Sequence, residues 1–232
     1  EVASSQQSFD SERAFFMAKG AAEVVYNAYE KNLQVPEGGP IRRENGDYVF
    51  PFDLGEARVR FESNAGLIDL NAASDQLLAS MFDSLGLSQE TRNRLVDSIL
   101  DWRDADDIPH LYGAEVTDYP GNTPDRTLRP RNGPFQSVDE LMLVKNMTPE
   151  LFYGYVAVQT LAGQYQRVPG VRELLTVNAG SGKVDANEAS PDVLRALPSM
   201  TPALAERITK ERAEEKFAGQ DDVVKRVPEL AA

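Results

Sequence analysis

Apolar side chains recur at helical spacing near the start of the sequence. Phe9, Phe16 and Val24 follow one another at intervals of seven and eight residues, and charged side chains occupy positions between them. Because an α-helix has about 3.6 residues per turn, these intervals place the three side chains on one face. The pattern predicts a single long amphipathic helix that begins near Phe9 and ends near Pro36.

The pattern then changes to the alternation that is typical of β-strands. Residues 48–52 and 58–62 alternate between apolar and polar side chains, and the turn-forming Asp53-Leu54-Gly55 lies between them. Since successive side chains of a strand point to opposite faces, each run has one apolar face. We therefore predict a β-hairpin with one buried side.

Beyond residue 70 the helical periodicity returns, punctuated by capping residues. Ser74, Ser88 and Ser137 each precede an apolar periodic run, and Thr148-Pro149 and Thr201-Pro202 are helix starts of a similar kind. The predicted helices span residues 75–85, 89–102, 138–144, 150–155 and 201–216. Short strands are predicted at residues 156–161 and 174–178.

Residues 66–78 and 182–194 are two diverged copies of one segment. They align without a gap, and six of their 13 positions are identical. Each copy has a Gly for a tight turn, a buried strand residue, an Asn suited to bonding local backbone, and a Ser that caps a helix. These residues are Gly66, Ile68, Asn71 and Ser74 in the first copy, and Gly182, Val184, Asn187 and Ser190 in the second. We predict two related helical modules; the alternative is a strand-turn-helix start that any fold could use.

An irregular acidic stretch follows the first copy. Residues 104–134 contain five prolines and no sustained periodicity, which predicts a long loop. Seven carboxylates surround a single base, Arg103, between residues 101 and 125: Asp101, Asp104, Asp106, Asp107, Glu115, Asp118 and Asp125. A calcium ion, which accepts about six to eight oxygens, would relieve their repulsion and order the loop. The spacing is not that of an EF-hand, because Pro109 stands where that loop requires Gly. A calcium site and a solvated acidic surface are both open interpretations.

The amino-acid composition disfavours or excludes several classes of function. The sequence has 37 acidic and 24 basic residues, and its formal charge of −13 disfavours contact with nucleic-acid phosphates. The absence of cysteine excludes disulfides and thiol catalysis, and no apolar run is long enough to predict a membrane span. We predict that the protein is not an enzyme, because the single histidine, His110, lies in the irregular loop without a recognisable nucleophile.

The two copies also permit a different function, DNA binding through helix-hairpin-helix modules. Such modules place a glycine-rich hairpin against phosphate, and here the hairpins would be residues 85–88 and 197–201. Neither hairpin has the paired glycines that this contact needs, and the net charge is unfavourable. We therefore keep DNA binding as the alternative function. We predict that the two copies are packing units of the fold.

Several motifs resemble the K-type minor pseudopilins of bacterial type II secretion systems. They occur in that family's order over about residues 48 to 217. The motifs are Gly-Leu-Ile-Asp-Leu-Asn at 66–71, Ile-Leu-Asp-Trp-Arg-Asp-Ala-Asp at 99–106, Gly-Ala-Glu at 113–115, Arg-Asn-Gly-Pro-Phe-Gln-Ser-Val-Asp-Glu-Leu at 131–141, and Val-Asp-Ala-Asn-Glu-Ala-Ser at 184–190.

The resemblance implies an α+β protein with a pilin-like fold. A long N-terminal helix would lie on a small antiparallel sheet, and a large inserted α-helical domain would contain two SAM-like or helix-hairpin-helix-like modules. The implied boundaries are 1–65 for the helix and hairpin, 66–163 for the first module with the calcium loop, and 164–226 for the second module. Residues 227–232 would start a truncated C-terminal pilin segment.

The resemblance also implies a function in protein export. The protein would be a minor pseudopilin that caps the pseudopilus tip, in a heterotrimer with the I- and J-type minor pseudopilins, for secretion across the outer membrane. It would be a periplasmic domain anchored in the bacterial inner membrane by a helix that precedes Glu1, and it would have no nucleic-acid partner.

Calcium is the cofactor that the resemblance implies. Asp104, Asp106 and Glu115 match the family's ligand motifs and are carried over as oxygen donors. The family's acidic residue directly after that glutamate is absent, because Val116 follows Glu115 here, and we take Asp118 as its replacement.

Overall fold

A computed structural model of the chain describes residues 2–31, 41–44, 47–60, 63–119, 128–158 and 165–231. The chain divides into two compact units, Glu1–Glu62 and Ser63–Ala232, which we call the N-terminal unit and the helical unit. Both helices and sheets are present, so the predicted α+β class is confirmed. The finer division predicted within the helical part, at residues 163 and 226, stays a prediction.

Where it is described, the N-terminal unit is one long helix on a small antiparallel sheet. Helix α1 spans Val2–Glu30, so it begins earlier and ends earlier than the sequence predicts. The strands β1 (Arg42–Glu44), β2 (Asp47–Phe52) and β3 (Gly55–Val59) form a sheet in that order. Strands β2 and β3 are the predicted hairpin, although residues 61 and 62 lie outside the described residues. Strand β1 was not predicted because its three residues are all charged.

Small side chains of α1 form the face that packs on this sheet. Ala21, Val25 and Ala28 are buried together with Phe50 and Ala57 of the strands, because short side chains allow the helix to approach closely. The stripe that the sequence pattern emphasised points outward: Phe9 is 69% exposed, Phe16 66% and Val24 44%. Helix α1 is therefore apolar on more than one face.

The helical unit contains six helices and two small sheets among its described residues. The helices are α2 (Asp75–Ser84), α3 (Gln89–Arg103), α4 (Pro149–Tyr153), α5 (Pro191–Ala196), α6 (Pro202–Glu214) and α7 (Gln220–Arg226). The strands are β4 (Ile68–Asp69), β5 (Gly154–Val158), β6 (Tyr165–Pro169) and β7 (Leu175–Thr176). β4 pairs with β7 in parallel, and β5 pairs with β6 in antiparallel orientation. The run 138–144, predicted as a helix, is a 3-10 helix over Val138–Leu143.

The two sequence copies share an asparagine clamp that closes each of them. The Asn71 side chain accepts from the Phe135 N–H (2.7 Å) and donates to the Phe135 carbonyl (2.9 Å). In the second copy, Asn187 makes the same two bonds with Phe217, at 2.8 and 3.0 Å. The repeat therefore extends beyond the aligned segments and includes a phenylalanine that lies far along the chain.

A second shared contact links each long helix to the turn that begins its copy. Arg103, at the end of α3, donates to the carbonyls of Leu70 and Ala73. Arg212 of α6 donates to the equivalent carbonyls of Ala186 and Ala189. These arginines satisfy carbonyl groups that the turns leave without strand or helix partners.

The copies pack against each other reciprocally around one core. A Cβ on Gly66 would lie 2.6 Å from the Glu188 backbone, and a Cβ on Gly182 would lie 2.8 Å from the carbonyl oxygen of Ala72, the residue equivalent to Glu188. Reciprocal contacts of this kind are those of a two-fold arrangement. One hydrophobic cluster contains the buried leucines of both copies, so they share a core.

Candidate metal centre

Two acidic side chains of α3 organise the loop that follows it. Asp101 is fully buried, and its two carboxylate oxygens accept from the backbone N–H groups of His110 (3.0 Å) and Ala114 (2.6 Å). One turn earlier, Asp97 accepts from the N–H of Tyr112 at 2.9 Å. Because residues four apart share a helix face, both carboxylates point at the same stretch of loop. The loop is therefore wrapped onto the end of α3.

The close approach of the loop depends on Gly113. A Cβ at this position would lie 1.9 Å from a carboxylate oxygen of Asp101, so only glycine fits. The His110 Nδ1 atom also contacts the Asp101 carboxylate. This contact raises the pKa of His110, with burial opposing the shift. The single histidine is thus held beside the carboxylate of Asp101.

Three carboxylate oxygens in this region are buried without a hydrogen-bond partner. They are one oxygen of Asp104 and both oxygens of Glu115. The Glu115 side chain also faces the Asp118 N–H at the start of the 3-10 helix Val116–Asp118. Glu115 is only 3% exposed. Burying a carboxylate without a partner is costly, so these oxygens favour a positively charged or hydrogen-bond-donating group beside them.

Burial of Glu115 and Asp104 also changes the pKa values of their carboxyl groups. Burial raises the pKa of Glu115 to about 7, and the negative charges of Asp101 and Asp104 add to the shift. Burial also raises the pKa of Asp104, with contributions from Asp106 and Asp101. Like charges raise one another's pKa only when they lie close together. Asp104 and Glu115 are therefore both subject to the negative charge of Asp101, which raises the pKa of each.

The base nearest in sequence does not neutralise these carboxylates. Arg103 is directed at the carbonyls of Leu70 and Ala73 in its structural role. The donor atoms of Asp101, Asp104 and His110 lie within 4.8 Å of one another and could together contact one cation. These three side chains offer two carboxylate oxygens and one imidazole nitrogen to a cation. Carboxylate oxygens are the ligands that calcium prefers.

The other two predicted ligands lie in different surroundings. Asp106 is exposed, and one of its oxygens accepts from the Ile108 N–H at 2.9 Å. Both oxygens of Asp118 already have partners: Lys145 Nζ at 2.8 Å and the Glu115 N–H at 3.2 Å. The pairing with Lys145 lowers the pKa of Asp118. Asp125, also part of the acidic stretch, lies outside the described residues.

The sequence analysis gave Asp97 no role and counted Asp101 only as one of the seven carboxylates of the acidic stretch. The available signal was their spacing of four residues on a helix, with Asp101 between the apolar Ile99 and Trp102. An acid flanked in this way at a buried helical position needs polar partners, which the loop backbone supplies.

Comparison with known proteins identifies one relative that matches the whole chain and others that match part of it. Residues 59–156 match the family described as "Type II secretion system (T2SS), protein K". The type II secretion system protein K of Pseudomonas aeruginosa is 27% identical over all of this chain and 69% of its own length. The predicted resemblance to the K family is confirmed. A putative protein K of Escherichia coli K12 is 28% identical over 55% of this chain and 37% of its own length.

A solved structure shows the same fold. A chain of the GspK-GspI-GspJ complex from the enterotoxigenic Escherichia coli type 2 secretion system matches 97% of this chain and 77% of its own length. The TM-score is 0.59, at 14% sequence identity. The fold is thus shared despite extensive divergence. Among the described residues, no helix has the length and apolar character needed to cross a membrane.

Proposed function

We propose that this chain acts as a minor pseudopilin of a type II secretion system and caps the tip of its pseudopilus. The observation that carries the proposal is the similarity to protein K over all of the chain. The long helix α1 on its antiparallel sheet supports a pilin-like N-terminal unit, and the helical unit supplies the bulk that would block further addition at the tip.

The partners that we propose are the I- and J-type minor pseudopilins, in a heterotrimer. Their helices would pack on the outward face of α1, where Phe9 and Phe16 lie seven residues apart and are both largely exposed. Exposed aromatic side chains on one helix face are typical of a surface that is buried by association. The anchor in the inner membrane and the periplasmic location are proposed on the same grounds of family likeness.

Co-purification with I- and J-type minor pseudopilins tests this proposal. The wild-type chain should elute with both partners as one complex on size exclusion. Changing Phe9 and Phe16 to Asp should abolish the complex, since two charges would be desolvated. The control is Leu111→Asp, which alters another exposed apolar side chain, 84% exposed, in the helical unit and should leave the complex intact. A wild-type chain that remains monomeric with both partners would contradict the proposal.

The two copies also support the finer prediction of SAM-like or helix-hairpin-helix-like modules. Gly86, Asn146 and Ser199 adopt positive φ angles of 77°, 70° and 62°, each two residues before a helix-capping Ser or Thr. The hairpin geometry is thus repeated, with glycine at only one of the three turns. The charge of −13 makes DNA a poor partner, and absence of retention on duplex DNA at low salt would eliminate that alternative.

We further propose that calcium binds the acidic cluster through Asp104 and Glu115. The support is that one oxygen of Asp104 and both oxygens of Glu115 are buried carboxylate oxygens. Asp106 is an additional ligand in this proposal, because it is exposed next to the cluster and its bond to the Ile108 N–H engages one oxygen. When bound, calcium would neutralise the cluster and fix the loop. Asp118 stays a predicted ligand, although its present contacts place it in a supporting role next to Lys145.

Thermal unfolding in different metals tests the calcium proposal. Calcium should raise the melting temperature while magnesium should have little effect, because an irregular acidic loop suits the larger and more flexible coordination of calcium. Asp104→Ala should abolish the shift. Absence of a calcium effect at millimolar concentration in the wild-type chain would contradict the proposal.

A structural role without catalysis is part of the same proposal. Its support is the likeness to a secretion-system component and the use of the acidic residues in organising a loop. A hydrolase activity that depends on His110 would contradict it.

A further inference from the structure

The first copy contains a strand contact that has no equivalent in the described part of the second. Strand β7 lies in parallel beside β4. The Ile68 N–H donates to the Leu174 carbonyl at 2.9 Å, and the Leu70 N–H donates to the Thr176 carbonyl at 2.8 Å. Leu174, Leu175 and Thr176 are all buried there. An extended apolar segment therefore covers the edge of the first copy.

The equivalent edge of the second copy is formed by Val184 and Ala186. On the opposite side of this segment, the Asp185 N–H donates to the Ala65 carbonyl at 2.7 Å. Because successive N–H groups of an extended segment point in opposite directions, those of Val184 and Ala186 face away from Ala65. No backbone carbonyl of the described residues accepts from either of them. Two donors, two residues apart, are thus left without the partners that Ile68 and Leu70 have.

An apolar groove lies beside this unpaired edge. Its volume is about 630 Å³, and its lining includes Val184, Leu194, Met200, Ile208 and Val223. A groove of this size accommodates a few apolar side chains. The second copy therefore combines an unpaired backbone edge with an apolar recess.

We infer that the second copy binds an extended apolar segment of a partner polypeptide, which adds as a parallel strand beside residues 184–186. The internal repeat carries this inference, because the chain itself places such a segment, β7, on the equivalent edge of the first copy. Donors spaced two residues apart match the carbonyl spacing of a parallel strand, and alternate side chains of the segment enter the groove. The inference is independent of the role proposed for the chain at the pseudopilus tip.

A peptide with the sequence of residues 172–178, Arg-Glu-Leu-Leu-Thr-Val-Asn, is the probe for this site. Binding of the labelled peptide to the whole 232-residue chain is measured by fluorescence anisotropy. Saturable binding is expected, and the same peptide with both leucines changed to Asp should bind at least about tenfold more weakly. Absence of saturation at about 1 mM peptide would overturn the inference.

Two tryptophan variants locate the binding. Ala218 lines the groove, and Ala218→Trp should fill part of it and weaken peptide binding by about tenfold or more. Ala213→Trp is the matched control, since Ala213 is exposed on α6 and is not part of the lining. Equal binding by the Ala218 variant and the wild-type chain would overturn the inference.

Amide exchange of the wild-type chain gives an answer that does not depend on any variant. The peptide should slow exchange of the Val184 and Ala186 amides and leave those of Ile68 and Leu70 unchanged. Effects on Ile68 and Leu70 instead would mean that the peptide displaces β7, and the inference would then be wrong.

Discussion

The two copies differ most in the segment that connects the long helix of each copy to its asparagine clamp. In the second copy, residues 213–216 connect Arg212 to Phe217. In the first copy the corresponding connection is residues 104–134, and it includes the acidic cluster. Since both clamps close with the same pair of hydrogen bonds, the long loop is not needed to form the framework. The loop is an addition, and its chemistry points to a separate task.

The comparison also shows how an inserted loop is held without secondary structure. The buried Asp101 replaces the missing backbone partners of the loop by accepting from two of its N–H groups. The second copy has no such need, because its connection is short. Asp101 thus helps the inserted loop to fold, and the buried oxygens of Asp104 and Glu115 are those to which we propose that calcium binds.

Truncation of the buried leucine in either copy should have the largest effect. Leu78 is fully buried and Leu194 is 1% exposed, so Leu78→Ala and Leu194→Ala should each lower the free energy of unfolding by about 3 kcal/mol. Because the copies share one core, both variants should shift the same transition of Trp102 fluorescence in urea. A Trp102 transition that does not respond to Leu194→Ala would show that the copies unfold independently.

Removal of the clamps should cost about 2 kcal/mol in each copy, because Asn71→Ala and Asn187→Ala leave two backbone groups of a phenylalanine without partners. The copies should differ in their response to calcium. Asn71→Ala releases one end of the acidic loop and should weaken calcium binding, whereas Asn187→Ala should not. Equal calcium affinity of the two variants, measured by titration calorimetry, would argue against the clamp as an anchor of the loop.

The helix caps should show a smaller and equal effect. Ser74 accepts from the Leu77 N–H and Ser190 from the Val193 N–H, both at 3.2 Å. Ser74→Ala and Ser190→Ala should therefore each lower the free energy of unfolding by about 1 kcal/mol, measured by urea denaturation. An effect confined to one copy would indicate that the two helix starts are not equivalent.

Much of the framework follows from local sequence. Ser74, Ser88 and Ser190 each cap a helix as predicted, because a cap depends on residues within one turn. The helix α7 and the strand β6 were not predicted, since α7 is short and polar at its start and β6 is defined by pairing with β5. Short elements of this kind are stabilised by tertiary contacts rather than by propensity.

The sequence predicted that the candidate site is an acidic loop, but it did not predict the contacts that hold the loop in place. Sequence spacing cannot show that Asp101 is enclosed by the loop backbone or that Asp118 is paired with Lys145, because the latter residues are 27 positions apart. The orientation of α1 was missed for a related reason. The buried residues of α1 are small, so their hydrophobic periodicity in the sequence is weaker than that of the large, exposed Phe9 and Phe16.

The acidic cluster should make calcium binding depend on pH. Without metal, the pKa of Glu115 is raised to about 7, above its ordinary value of 4.5. At pH values between these two, Glu115 is therefore protonated in the folded chain and ionised in the unfolded chain. The stability from this proton is present below pH 4.5 and is lost as the pH rises through about 7. Calcium must displace the proton, and its affinity should be about tenfold weaker at pH 6 than at pH 8. The control Glu115→Gln should remove the decline of stability with pH in chelator.

The most direct test of the difference between the copies is a calcium titration of two matched variants by calorimetry at pH 8. Glu115→Gln removes a buried carboxylate of the first copy, and Glu188→Gln makes the same change in the second copy, where Glu188 is exposed and paired with Lys216. The wild-type chain and the Glu188 variant should bind calcium equally, and the Glu115 variant should show no binding heat. Full calcium binding by the Glu115 variant, or none by the wild-type chain, would contradict the account.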